Sequence, residues 1–381
     1  VSSGDTLDLN GQRAVFGGKL ICSSGSALDW ASSIAICKGE VDLFGIIPTS
    51  DANTVMIHDA TGETDWRSNY SNGTFFNQGG TTLQEDYSWH SANSNLTIDK
   101  LIVGSGFKGT RSGGPFALTV DGDVTVPTGG DLIAGSTLTV AGDFTTSGGL
   151  LGASALETVA SSSESASTSS NYTVLDNQAS CTIEFWLKLT DISNNTARIL
   201  NVNSSGSGEA YYVRTDGSSL QFHLGCATTD ASFSNSDTSL LTLSNIGTKF
   251  HHYALVKDND TVSLYIDGKK AAVKTTSGNT QSANSALFLG QFRGGDSNFA
   301  DMVMDELRFY TDARTESEIR SNMFTDSPSG DNLVGHYKFD EGTGTTVADS
   351  SSNSNALTLT SSGAFAGAGT FTYGTSTLVM A

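Results

Sequence analysis

The chain is short of positive charge. Lys and Arg number 20 against 40 Asp and Glu among 381 residues, a net charge of −20. Such a surface repels phosphate backbones, so nucleic acid is not an expected partner, and anionic membranes are disfavoured for the same reason. The acidity keeps the chain soluble and supplies oxygen ligands for hard cations. No apolar run approaches the ~20 residues needed to span a bilayer, so no membrane insertion is expected. None of the four cysteines, Cys22, Cys37, Cys181 and Cys226, forms a CxxC pair, which argues against a zinc site. Cys22 and Cys37 follow apolar residues on expected strands and suit a disulfide or buried thiols equally. No G-x-S-x-G, H-E-x-x-H or phosphate-binding loop occurs, and no EF-hand loop. The sequence begins at Val1 without Met or a signal peptide, so processing or a longer parent protein is expected.

What is abundant is glycine, at 42 residues, with long runs of Ser, Thr and Asn. These are poor helix formers and good turn formers. Residues 1–150 read as short strands. "FALTVDGDVTV" (116–126) echoes "STLTVAGDFTT" (136–146) at an offset of 20, and Leu96 in "NLTIDKLIV" lies 22 before Leu118. A repeat of that length suits stacked β-coils or an irregular sandwich. The intervening 48–95 reads as a loop region with Trp66, Tyr70, Phe75, Phe76, Tyr87 and Trp89. These rings suit a sugar-stacking face or, more simply, the core of an insertion. "ASSSESASTSSN" (160–171) has the composition of a linker.

A different pattern follows. "CTIEFWLKLTD" (181–191) alternates apolar and polar residues, and "EAYYVRTDGSSLQFHLG" (209–225) reads as a hairpin around Asp216-Gly217. "FHHYALVKDNDTVSLYIDGKKAAV" (250–273) reads as three strands with turns at Asp258-Asn259-Asp260 and Asp267-Gly268. "TESEIRSNMF" (315–324) carries a capping box, Thr315 with Glu318, and is the expected helix. The adjacent His251 and His252 begin a strand, where their rings diverge, so a structural role is expected for both. Trp186 and Tyr253 are expected in packing.

The blocks "TIEFWLK", "HHYALVKDNDTVSLYIDGKKAA", "LFLGQF" and "MDELRFYTDARTESEI" resemble the concanavalin A-like jelly roll in its laminin-G-like branch, over about 150–359. The resemblance implies an all-β protein, a jelly-roll sandwich flanked by Gly/Thr-rich short-strand segments of β-solenoid or stalk type. The expected domains are 1–150, 151–359 and a return to the stalk over 360–381, where Leu357 and Leu378 lie 21 apart. In the family, acids near "HYKFDEGTGTTVADSSSNSNALTL" (336–359) lie by a structural calcium. Carried over, that implies Asp305 and Asp349 as ligands, with Asn353 and Asp340 beside them. Here the stretch follows the helix rather than opening the domain. A glucanase of this superfamily would show E-x-D-x-E on one strand, and "DMVMDE" (301–306) lacks that spacing. Asp305 and Glu306 are expected on opposite faces.

The reading is therefore a non-enzymatic protein of a virion surface or the extracellular space. Jelly rolls carried on β-stalks resemble bacteriophage fibre, spike or head-decoration proteins, and bacterial adhesins. The expected partners are a host-surface glycan or other virion subunits, and a Gly-rich stalk would gain most from a homotrimer. A purely structural decoration role is the alternative.

Overall fold

In a computed structural model the chain divides into two compact units. One is Val1–Leu150 with Gly367–Ala381, the other Leu151–Ala366. The structure describes residues 150–366 except 205–207, 248, 294–297, 326, 329–331 and 362–363; outside that span it describes chiefly the strands.

The first unit is a parallel β-solenoid. One sheet runs Arg13–Phe16, Ile34–Cys37, Val55–His58, Thr74–Asn77, Lys100–Val103, Val124–Thr125 and Phe144–Thr145. Each strand pairs parallel with the one a coil away. The sequence echo is this stacking: Leu96 pairs with Leu118, and Leu118 with Leu138. A coil cannot bury its apolar side alone, so like residues stack on like, and Val120, Val124, Leu138 and Val140 are buried. The Asp123 carboxylate accepts the Asp143 N–H at 3.0 Å, joining equivalent turns of neighbouring coils. The 48–95 stretch is not all loop, since Val55–His58, Trp66–Ser68 and Thr74–Asn77 are coil strands. Its aromatic side chains lie outside the described residues, as does that of Cys22.

The coil after residue 146 is supplied from the other end of the chain. Thr370–Thr372 pairs with Asp131–Ala134, and Thr377–Met380 with Thr137–Val140, placing Leu378 beside Leu138. The Leu357–Leu378 spacing is therefore not a solenoid rung. Leu357 pairs with Thr168 in the second unit, which extends to Ala366 rather than ending at 359.

The second unit is, among its described residues, an antiparallel sandwich of fifteen strands. In chain order they are β1 (Leu156–Thr158), β2 (Ala166–Thr168), β3 (Ser180–Leu189), β4 (Arg198–Asn203) and β5 (Glu209–Asp216). Then come β6 (Ser219–Leu224), β7 (Ala231–Phe233), β8 (His251–Asp258), β9 (Thr261–Ile266) and β10 (Lys269–Thr275). The last are β11 (Phe288–Leu289), β12 (Met302–Tyr310), β13 (Leu333–Tyr337), β14 (Thr346–Val347) and β15 (Leu357–Leu359). The first sheet has the order β1-β12-β3-β8-β9-β10, with β13 on β12, and the second β7-β6-β5-β4-β11-β2-β15-β14. The expected hairpins form, with Gly217, Asp267 and Gly268 all at positive φ. Inward residues of both sheets, among them Phe185, Tyr211, Phe222, Tyr253, Leu289 and Phe309, make one core. Each such side chain contributes ~1.5–3 kcal/mol by burial. The 160–171 stretch is no linker, because Ala166 and Thr168 are buried in β2.

Candidate functional site

The acids singled out in the sequence are structural anchors. Asp349 accepts the backbone N–H groups of His336 and Ser351 on Oδ1 (3.0 and 2.9 Å) and of Asn355 on Oδ2 (2.9 Å). Asn353 Nδ2 donates to the Val334 carbonyl at 2.7 Å. Together these tie the β14–β15 loop to β13. Asp305 accepts the Leu151 N–H at 2.8 Å, and Asp340 those of Ala153 and Ser154 at 2.5 and 3.4 Å. Gly152 lies between at φ +65, and a Cβ there would collide with the Asp340 carboxylate. Burial pushes the Asp340 carboxyl up, with the two backbone donors opposing. Asp305 and Asp340 thus grip 151–154, while Asp349 and Asn353 organise a loop. Among the described residues no three acids, histidines or cysteines converge as metal ligands. Calcium needs six to eight oxygens around one point, and this set does not fit that requirement.

The outer face of the first sheet is sealed. A bulge in β12 opposite Glu184 and Trp186 puts Glu306 at φ +52. Arg308 donates from Nε and Nη2 to Glu306 Oε2 (3.1 and 2.7 Å) and from Nη1 to Glu184 Oε1 (3.2 Å) and the Asn322 carbonyl (2.9 Å). It also reaches the Thr325 carbonyl. Tyr310 Oη donates to Glu184, and His336 Nε2 lies 2.7 Å from Glu306 Oε2. Burial pushes the Glu184 carboxyl up, and Arg308 pulls it back. The helix Glu316–Asn322, held by the expected capping box, lies over this face. Its Ile319 packs on Ala254, Val256 and Tyr265. Trp186 Nε1 donates to the Met323 carbonyl at 2.6 Å, and its ring meets His252 and Phe324. The two histidines diverge, His251 turning to Asp267 at 3.0 Å and His252 packing on Trp186. Asp305 holds the Leu151 N–H, and Glu306 meets Arg308 and His336.

The outer face of the second sheet is different. Register places one row across all eight strands: Ser232, His223, Tyr212, Asn201, Phe288, Ser167, Thr358 and Thr346. Most are half-buried or exposed. His223 stacks on Tyr212 with centroids 4.7 Å apart and planes at 10°. The Arg198 guanidinium lies 5.2 Å from the Tyr212 ring and 4.5 Å from that of Phe292, and Arg214 lies 5.0 Å from Tyr212. Both cations are paired, Arg198 with Glu209 at 2.7 Å and Arg214 with Asp216 at 2.8 Å. Burial lowers the His223 pKa, with Asp230 opposing. Asn201 is fully buried, and neither atom of its amide has a hydrogen-bond partner among the described residues. Two residues on, Asn203 Oδ1 also has none among them. No sequence motif marks these residues. Strand alternation was their one signal, since Leu200 and Val202 are core and leave Asn201 facing out.

Residues 161–320 match the family model of the concanavalin A-like lectin/glucanases superfamily. With the two antiparallel sheets, that decides the domain. Residues 161–320 carry a concanavalin A-like lectin/glucanase domain. Solved structures are similar to the chain at low identity. A putative carbohydrate binding protein from Bacteroides ovatus is 18% identical with TM-score 0.42, over 55% of this chain and 58% of that one. The binding domain of a Paraclostridial mosquitocidal protein is 18% identical with TM-score 0.31, over 40% and 37%. The botulinum neurotoxin serotype D binding domain is 13% identical with TM-score 0.31, over 42% of each. The chain thus spans less than two thirds of each of these proteins. No curated protein sequence matches the chain. No helix among the described residues is long and apolar enough to cross a membrane.

Proposed function

We propose that the chain is a non-enzymatic surface-attachment protein. Its concanavalin A-like domain binds a glycan, and the β-solenoid carries that domain at the surface of a virion, as a fibre, spike or decoration protein does. The observation that carries the reading is the contrast between the two outer faces. The carboxylates Glu184 and Glu306 share Arg308 beneath a helix, closed to any substrate. The face of Tyr212, Asn201 and Phe288 has aromatic and amide side chains in register, the groups that stack on and hydrogen-bond to sugars. A glycan array with the full chain tests this, and specific binding is expected. Binding to nothing, with that face buried against neighbouring subunits, would make the protein a structural decoration component instead. Polysaccharide cleavage would overturn the non-enzymatic reading.

A further inference from the structure

We propose that Asn201 is the floor of a site for a neutral pyranose, closed by the Arg198–Glu209 ion pair. The inference rests on the glycan-binding reading and gives it a place and a ligand class. In register, Arg198 pairs with Arg214 and Asn203 with Glu209, and the Asn201–Tyr212 rung lies between. The ion pair therefore runs past that rung, its guanidinium beside the Tyr212 ring. Its side chains are 10% and 16% exposed, so they shield what lies below from water.

Below is an amide at 0% exposure with no partner for either polar atom among the described residues. Leaving such groups unsatisfied costs ~1–3 kcal/mol each, and folded proteins rarely keep them. A carboxamide presents an acceptor and two donors side by side. Two adjacent hydroxyls of a sugar ring, each both donor and acceptor, match that edge. Tyr212 and Phe288 stand on either side of Asn201 at the same level, as walls for the apolar C–H faces of the ring. Asn203 Oδ1 extends the acceptor file toward a second ring. The charge balance selects the ligand. Arg198 and Arg214 are already matched by Glu209 and Asp216, so neither is spare for a carboxylate or sulfate. The net charge of −20 repels a polyanion at long range. Entry requires the Arg198 side chain to swing aside, a rotamer change of the kind common on binding.

The test uses the full chain, an array of neutral and acidic oligosaccharides, and titration calorimetry with the best neutral binder. Asn201→Leu keeps the side-chain shape and removes the unsatisfied atoms. It should melt at or above the wild-type temperature and bind at least tenfold more weakly. Phe288→Ala, on the rim rather than the floor, should also weaken binding about tenfold. Glu209→Gln loosens the closing pair and should tighten binding. Wild-type affinity for the sugar in both Asn201→Leu and Phe288→Ala would overturn the site while leaving glycan binding intact. Binding confined to sialylated or sulfated glycans, or weakened strongly by salt, would overturn the ligand class. No binding by the wild type to any glycan would overturn this inference and the functional reading together.

Discussion

On one outer face of the jelly roll Arg308 reaches two glutamates and two carbonyls under a helix; on the other Asn201, equally buried, reaches no partner among the described residues. Both faces hold polar groups away from water, one with paired charges and the other with a neutral amide. The first pairs its charges with one another, Arg308 between Glu184 and Glu306, which is what makes a buried charge tolerable, although Glu184 Oε2 and Glu306 Oε1 have no hydrogen-bond partner among the described residues. The second keeps an amide with no partner among the described residues between two aromatic side chains. Opposite charges hold the first face together, whereas the second holds a neutral amide with neither polar atom partnered among the described residues.

The contrast can be broken from the sealed side. Arg308→Ala strands Glu184 and Glu306 without their cation and should cost about 3–5 kcal/mol, read as a lower urea midpoint. A loss near zero would show that the network does not seal the face. Acid probes the same side through His252. Burial holds its pKa at about 3 in the folded protein against 6.5 ordinarily. The unfolded chain thus takes up a proton near pH 6.5 that the folded one refuses. The stability it contributes is complete above pH 6.5 and is lost as pH falls toward 3, by about 1.4 kcal/mol per pH unit. His252→Gln should flatten that part of the stability–pH curve, and an unchanged slope would mean that His252 protonates in place. Thr315→Ala removes the capping box of the covering helix and should cost about 1 kcal/mol while leaving sugar affinity unchanged. Lost affinity would mean that the two faces are coupled. Smallest of all, a chelator should shift neither the melting temperature nor the affinity, because Asp305, Asp340 and Asp349 already hold backbone N–H groups. A lower melting temperature would return calcium to the loop of Asp349 and Asn353.

Local chemistry made much of this fold legible. The Asp216-Gly217 and Asp267-Gly268 turns, the Thr315 cap and the echo of coils one turn apart are all written within a few residues or one repeat. What depends on distant partners was not. Residues 160–171 have a linker's composition, yet Ser165 donates its N–H to Thr360 Oγ1, 195 residues away. Leu357 and Leu378 sit in similar Thr/Leu runs, and only their partners, Thr168 and Leu138, assign one to each unit. A carboxylate that organises a loop and one that binds calcium occur in the same Gly/Ser/Asn setting, so the 336–359 sequence alone does not separate the two. Nothing local announces the bulge at Glu306, a non-glycine residue at positive φ. Leu200 and Val202 face the core and leave Asn201 on the outer face, but its lack of a partner among the described residues depends on the whole sheet.

Hydrogen–deuterium exchange with and without a saturating neutral oligosaccharide tests the central claim most directly. The account predicts new protection in β4 and β5, at 198–203 and 209–216, and in β11 with the residues just after it, at 288–292, with the sealed face unchanged. Protection confined to the 340–355 loop, or to the strands beneath the Glu316–Asn322 helix, would contradict it.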